Sequence, residues 1–132
     1  MRGFFVVVML VAVCVTGVFS QGKKRVVSYQ KDIAPLIHGN CLPCHAEENF
    51  NPSELSLDSR ETLMAGGKNG VPVVPGKSDE STLLKKLSKN PPFGERMPLN
   101  SKRKIEDGKA KWLTEEEIKL IATWIDQGAK SN

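Results

Sequence analysis

Two cysteines and a histidine stand close together at positions 41–45, in the order Cys-Leu-Pro-Cys-His. Residues three and four apart on a helical turn face the same side, so Cys41, Cys44 and His45 can all reach one bound group. Two thiols at this spacing can form thioethers with the vinyl groups on one edge of a porphyrin, while the imidazole binds the iron. Cys-x-x-Cys-His is typical of c-type haem attachment. The sequence therefore predicts one covalent haem c, with His45 as the proximal iron ligand.

Two other chemistries use cysteines at this spacing. A structural zinc site needs four ligands, usually from two paired clusters, and beyond position 20 the only Cys and His residues are His38, Cys41, Cys44 and His45. Four ligands from one short stretch give poor tetrahedral geometry. A thioredoxin-like dithiol would need a strand before the motif in a βαβ unit, whereas the residues ahead of Cys41 have a helical pattern. Haem attachment is the favoured interpretation.

The second axial position of the iron has three candidate ligands beyond position 20, namely His38, Met64 and Met97. His38 lies just ahead of the cysteine motif, on the proximal side, from which the opposite haem face is hard to reach. Met64 belongs to a short amphipathic segment and is interpreted as core filling. Met97 lies in an irregular loop, 94–98, that can fold over the far face. We therefore predict Met97 as the distal iron ligand.

The first twenty residues have the pattern of a secretory signal peptide. Arg2 supplies a positive charge, residues 4–15 are apolar, and 18–20 form a cleavage site. The apolar run, which ends at Phe19, is short for a membrane span, which takes about 20 residues; cleavage is thus favoured, and retention as an anchor is the alternative. We predict residues 1–20 as the signal, 21–31 as a flexible lead and 32–129 as one domain. The expected location is the periplasm, or another exported site, of a bacterium.

Composition fits a small exported domain. The formal charge of +4 falls to +3 without Arg2, which is too small for a nucleic-acid binder. We expect neither nucleic-acid binding nor a stable membrane span after signal cleavage. Aromatic residues make up only 6% of the chain, so its own core is modest, and a buried haem would complete that core.

The spacing of apolar residues predicts an all-α fold of short helices and long loops. We expect three short helices before the last one. The first is capped by Asp32 and bears Ile33, Leu36 and Ile37. The second is capped by Asp58 with Glu61 and ends at Gly66 and Gly67, and the third begins at Ser78 and ends at 90–92.

The last helix has the clearest signals in the sequence. Thr114 and Glu117 form a capping box, and Gly128 supplies a left-handed end. Its apolar face, which includes Ile121 and Ile125, must pack on another element. We expect that element to be the first helix.

Together these motifs resemble the single-haem cytochrome c domain of the planctomycete-type family. The matching segments are 32–36, 41–45, 55–60, 66–67, 74–77, 80–81, 96–98, 113–118, 124–125 and 128–129. The resemblance implies a cytochrome c-like fold wrapped around one haem, with His45 and Met97 as the iron ligands. The chain departs from the family pattern after Pro98, where Leu99 replaces a second proline and an extra stretch, 100–112, precedes the last helix.

A haem with both axial positions filled by the chain has no site for oxygen or peroxide, so the expected function is one-electron transfer between redox proteins rather than catalysis. A five-coordinate haem peroxidase or a gas or redox sensor is one alternative, and a haem-binding subunit of a larger redox complex is another. Lys102, Arg103 and Lys104 lie in the extra stretch and can dock an acidic redox partner; a merely solvated loop is the competing interpretation.

Overall fold

The computed structural model describes residues 25–132. The predicted signal peptide and the start of the predicted lead lie outside these residues. The described part of the chain contains helices and loops, with one isolated bridge between Gly67 and Gly70 and no strand, which confirms the all-α expectation. Between residues 25 and 132, no helix is both long enough and apolar enough to cross a membrane.

The first helical segment begins earlier than predicted. A π-helical turn, Tyr29–Ile33, continues directly into α1, Ala34–Asn40. Ser28 is the cap: its hydroxyl accepts a hydrogen bond from the Lys31 amide at 3.3 Å, and its own amide donates to the Asp32 carboxylate at 2.8 Å. Asp32 therefore lies inside the first turn, and its prediction as the cap is wrong. The Ser28 amide is the main reason that the pKa of Asp32 is lowered.

Part of the predicted flexible lead belongs to the core. Val27 and Tyr29 are buried, and the Val27 amide donates to the side-chain oxygen of Gln127 at 2.8 Å. The Tyr29 ring lies 5.4 Å from that of Trp124, centroid to centroid. Ordered packing thus starts several residues before position 32, because an aromatic side chain in the lead has a partner at the other end of the chain.

The cap of α2, Arg60–Ala65, is one residue later than predicted. Ser59 and Thr62 form the capping box, whereas Asp58 accepts hydrogen bonds from the Glu47 amide and the Ser56 hydroxyl. Asp58 is thereby diverted to the loop that follows the cysteine motif. The predicted end of the helix is confirmed, since Gly66 is its C-cap, with φ of 78°.

Helix α3, Thr82–Leu87, is shorter than predicted at both ends. Ser81 precedes it, and residues 78–80 form a turn instead of its first residues. The buried Ser81 hydroxyl accepts from the Val74 amide and donates to the Lys77 carbonyl, both at 2.9 Å. Ser81 therefore holds the preceding loop against the start of the helix.

The extra stretch contains a short helix that the sequence did not predict. Helix α4, Lys102–Glu106, has no buried residue. Asn100 closes the base of the stretch, because its side-chain amide donates to the Lys111 carbonyl at 2.9 Å and its side-chain oxygen accepts from the Lys111 amide at 3.1 Å. The stretch is thus a projection held at its base and exposed beyond it.

The last helix, α5, spans Glu115–Asp126 and has the predicted Thr114–Glu117 capping box. It contacts the π-helical turn that bears Ile33, at the start of the first helical segment, so the predicted packing of the last helix on the first is confirmed at that turn. Ile33, Leu63, Trp124 and Ile125 are the largest apolar side chains at the centre of the core, each essentially inaccessible. This core supports the motif 41–45, which follows α1 directly.

Candidate functional site

A cavity with mainly apolar walls lies beside the cysteine motif. The cavity together with the solvent space at its open mouth has a volume of about 1080 Å³. The four predicted site residues, Cys41, Cys44, His45 and Met97, all line it. Its other apolar lining side chains include Leu55, Leu57, Pro72, Leu83, Leu87, Phe93, Pro98 and Leu99. The structure thus brings together two thiols, an imidazole and a thioether that are up to 56 positions apart in sequence.

The two other side chains weighed as iron ligands lie elsewhere. His38 is exposed, with its Nε2 3.4 Å from the Asp58 carbonyl oxygen. Met64 belongs to α2 and packs against the core. Neither lines the cavity, which agrees with their assignment as non-ligands.

The cysteine motif forms a helical turn that extends α1. The Cys41 amide donates to the Ile37 carbonyl at 2.8 Å, and the His45 amide donates to the Cys41 carbonyl at 3.0 Å. This turn holds the two thiols and the imidazole at the wall of one cavity. Cys44 is exposed and Cys41 is half-buried, so both thiols are accessible from the cavity.

The structure gives no support to the dithiol and zinc alternatives. Burial, with a smaller contribution from Cys44, raises the pKa of the Cys41 thiol to about 11, whereas reactive Cys-x-x-Cys dithiols have lowered pKa values. In the part of the chain that the structure describes, no three His, Cys, Asp or Glu side chains are grouped as a metal ion would require. The cysteines and the histidine therefore do not converge on one point, although they share a cavity.

The orientation of His45 is set by a backbone carbonyl. Its Nδ1 lies 3.0 Å from the carbonyl oxygen of Leu55. Because a carbonyl only accepts hydrogen bonds, this contact requires the proton on Nδ1, and in the neutral imidazole Nε2 is then the nitrogen that is free to bind a metal. The Leu57 amide also donates to the His45 carbonyl at 2.8 Å. Sequence reasoning missed this contact, since a backbone carbonyl has no residue-type signal.

Gly67 allows the segment that carries this carbonyl to lie where it does. A Cβ on Gly67 would overlap the Ser53 carbonyl oxygen and lie 2.9 Å from the Leu55 amide nitrogen. The next amide, of Lys68, donates to the Ser53 carbonyl at 2.8 Å. The sequence predicted Gly67 only as part of a helix end; the structure adds close backbone approach as a second reason for glycine.

The loop that carries Met97 is attached to the end of α3. The Met97 amide donates to the Lys86 carbonyl at 2.8 Å, and Arg96 Nε donates to the Leu87 carbonyl at 2.9 Å. The Arg96 guanidinium also lies 4.6 Å from the centre of the Trp112 ring. Met97 is therefore held to α3 on one side and, through Arg96, to the end of the extra stretch on the other.

The donor set and the walls of this cavity fit a covalently held haem. Two thiols on one turn suit the vinyl groups, the free Nε2 of His45 suits the iron, and Met97 offers a second axial sulfur. Apolar walls suit the faces of a porphyrin. A helical fold with such a cavity and donor set is compatible with a c-type haem protein.

Comparison with known proteins agrees with this class. Residues 41–98 match the family model for planctomycete cytochrome C, which confirms over this segment the resemblance predicted from the sequence. The match begins at the first cysteine of the motif and ends at the proline after Met97. Neither a curated protein nor a solved structure matches the chain.

Gly67→Ala tests whether the close approach supports the proximal side. The added methyl group must displace the segment 53–55, so we expect the free energy of unfolding of the haem-loaded protein to fall by about 1–3 kcal/mol, the usual cost of overpacking. The yield of haem-loaded protein should fall as well. Thermal unfolding followed at the haem absorption band measures the first effect.

Gly39→Ala is the matched control. A Cβ at Gly39 meets nothing within 4 Å, and the residue lies in α1, where alanine is the better helix former. Equal losses in the two variants would contradict a specific role for Gly67.

Proposed function

We propose that the protein is an exported single-haem c-type cytochrome that carries one electron between redox proteins. The observation that carries the proposal is that Cys41, Cys44, His45 and Met97 line one apolar cavity. Haem iron bound there would supply reversible one-electron chemistry. The short helices and long loops would then enclose the haem as in a cytochrome c-like fold.

Each of the four residues has a distinct role in this proposal. Cys41 and Cys44 hold the porphyrin edge through thioethers. His45 offers Nε2 to the iron, with its ring fixed by the Leu55 carbonyl. Met97 fills the other axial position, where a thioether sulfur raises the reduction potential. With both positions taken, the residues of the chain exclude small ligands, which favours electron transfer over catalysis.

The charge distribution supports an acidic redox protein as the partner. The extra stretch 100–112 carries five basic and two acidic residues, a net +3, whereas the rest of the described chain has a net −2. The positive charge of the described domain is thus concentrated in one projection. The stretch begins directly after Pro98 and Leu99, which line the cavity. At its other end, the Lys111 carbonyl is bonded to the Asn100 side chain. The basic residues are therefore attached next to the cavity.

We propose that Lys102, Arg103 and Lys104 on α4 steer this partner toward the haem edge. The three side chains are exposed, and such a charge cluster raises the rate of encounter more than the strength of binding. The ion pairs of Asp107 with Arg103, at 3.9 Å, and with Lys109, at 3.6 Å, are exposed and add little stability. They neutralise only part of the cluster.

Covalent attachment is tested by the mass of the exported protein from a host that matures c-type haem. We expect cleavage near Ser20 and the mass of one added haem, because both thiols lie at the cavity. Changing Cys41 and Cys44 together to Ala should abolish the added mass. His38→Ala is the control and should keep it, since His38 lies outside the cavity. A mature mass without haem, or with zinc, would refute the proposal.

Met97 ligation is tested by absorption spectroscopy. Ferric wild-type protein should show the weak charge-transfer band of sulfur-ligated haem. Met97→Ala should lose this band, bind carbon monoxide when reduced, and have a lower reduction potential, within the roughly 0.8 V range that axial ligands span. Met64→Leu conserves core volume and should change none of these. A Met97→Ala spectrum identical to that of the wild type would show that another group occupies the position.

Steering by α4 is tested with the anionic oxidant ferricyanide as a small probe of the field at the haem edge. Changing Lys102, Arg103 and Lys104 to Glu should slow oxidation of the reduced protein roughly tenfold at low ionic strength, and added salt should remove the difference. A control variant with Lys31, Lys119 and Lys130 changed to Glu has the same net charge. Equal slowing in both variants would refute steering by the extra stretch.

A further inference from the structure

We infer that Lys86 is a positioning residue for Met97. The inference rests on the proposed function, because it takes Met97 to be an iron ligand. Lys86 contacts the Met97 loop from both its backbone and its side chain: its carbonyl accepts the Met97 amide at 2.8 Å, and its Nζ donates to the carbonyls of Phe93 and Glu95, each at 2.6 Å.

The loop is wrapped around the ammonium group of Lys86. The Phe93 ring centre lies 4.8 Å from Nζ. Gly94, between the two bonded carbonyls, has φ of +55°, and a Cβ there would lie 3.6 Å from Nζ. Two carbonyls and one aromatic face therefore contact a single cation. These contacts fix the conformation of a loop that has no secondary structure of its own.

These contacts hold a segment that has little else to fix it. Residues 88–101 contain no helix or strand, and Phe93, Gly94 and Glu95 are all exposed. Hydrogen bonds from an ammonium group to carbonyls are stronger than bonds between neutral groups. The other anchor of the loop, from Arg96 to the Leu87 carbonyl, also ends on the last turn of α3. Lys86 thus supplies the only ammonium contact to the loop among the described residues.

The position of Lys86 explains why it affects the distal side of the cavity. Its side chain lines the cavity, while its charged end turns to the loop carbonyls, as amphipathic side chains commonly do. Methionine is a weak iron ligand, so its occupancy depends on how well the chain holds it in place. Without the ammonium group, the loop gains conformational freedom and Met97 leaves the iron more often.

Lys86→Met is the test, because it keeps an unbranched apolar stem and removes the charge and the donors. Reduced wild-type and variant proteins are mixed with carbon monoxide, which binds only when Met97 has left. We expect binding to be at least tenfold faster in the variant, because both charge-assisted hydrogen bonds of Nζ are lost and the loss of one alone corresponds to about tenfold. The ferric sulfur band should also disappear at a lower temperature than global unfolding followed by far-UV circular dichroism.

Lys85→Met is the matched control on the neighbouring position. Lys85 Nζ donates to the Glu80 carbonyl at 3.2 Å and does not contact the loop. The control should bind carbon monoxide within about twofold of the wild type, a difference well below that of one lost hydrogen bond. Lys86→Arg keeps a cation with several donors and should preserve the sulfur band, which a role of Lys86 limited to helix packing would not predict.

The outcomes separate this inference from the proposed function. If wild-type protein lacks the sulfur band, Met97 ligation fails, and the role of Lys86 fails with it. If the wild type has the band and Lys86→Met behaves as Lys85→Met does, Met97 ligation stands and the inference about Lys86 is overturned. Should Lys86→Met not fold, Lys86→Gln, which retains a hydrogen-bond donor without charge, must show the faster binding instead.

Discussion

The hydrogen bond between His45 and the Leu55 carbonyl is the contact on which the proposed haem site depends. It selects the imidazole tautomer with a free Nε2, and it requires the chain to return across the cysteine motif within ten residues. The return is stabilised by the Leu57 amide, which donates to the His45 carbonyl, and by Asn51, whose side-chain oxygen accepts from the Leu55 amide at 3.2 Å. Because Gly67 has no side chain, its backbone can lie directly against segment 53–55. The loop between His45 and Leu57 has no regular secondary structure, yet these contacts fix its conformation.

The two walls of the cavity are held by different kinds of contact. Proximal residues 41–45 extend a helix that packs on the core through Ile33 and Ile37. The Met97 loop is instead held to the last turn of α3 by hydrogen bonds, among them those from Lys86 Nζ to the Glu95 carbonyl and from Arg96 Nε to the Leu87 carbonyl. Apolar burial is cooperative with the whole fold, whereas a few hydrogen bonds to an exposed loop can open locally. The asymmetry suits a site with one strong axial ligand and one weak one.

The extra stretch 100–112 separates charge from the rest of the domain without disturbing the cavity. Asn100 closes its base by bonding to Lys111, and Arg96 stacks over Trp112 at its end. The ten residues between Asn100 and Lys111 therefore project from a fixed base. Helix α4 has no buried side chain, and its sequence is therefore under no packing constraint. Such a projection can hold a concentration of positive charge that the core-facing elements cannot.

Local sequence determined those features of this protein whose causes lie within a few residues. The Thr114–Glu117 capping box and the Gly66 helix end depend on short-range spacing, and both are present as predicted. The predicted caps were wrong where two polar residues of similar capping ability lie close together, as Asp58 and Ser59 do, or Ser78 and Ser81. Partners outside the helix, such as the Glu47 amide that bonds to Asp58, decided which residue is the cap.

The tertiary structure decided everything that depends on contacts between distant segments. Tyr29 joined the core because Trp124 lies beside it, and the extent of the ordered domain changed accordingly. The sequence suggested Met97 for the cavity, but only the fold showed that Lys86 and Leu87 hold its loop, and only the fold showed that Leu55 orients His45. Backbone carbonyls are the acceptors in the contacts that hold the Met97 loop and orient His45. Every residue has one, so no residue type marks the few that tertiary packing brings within reach of a functional side chain.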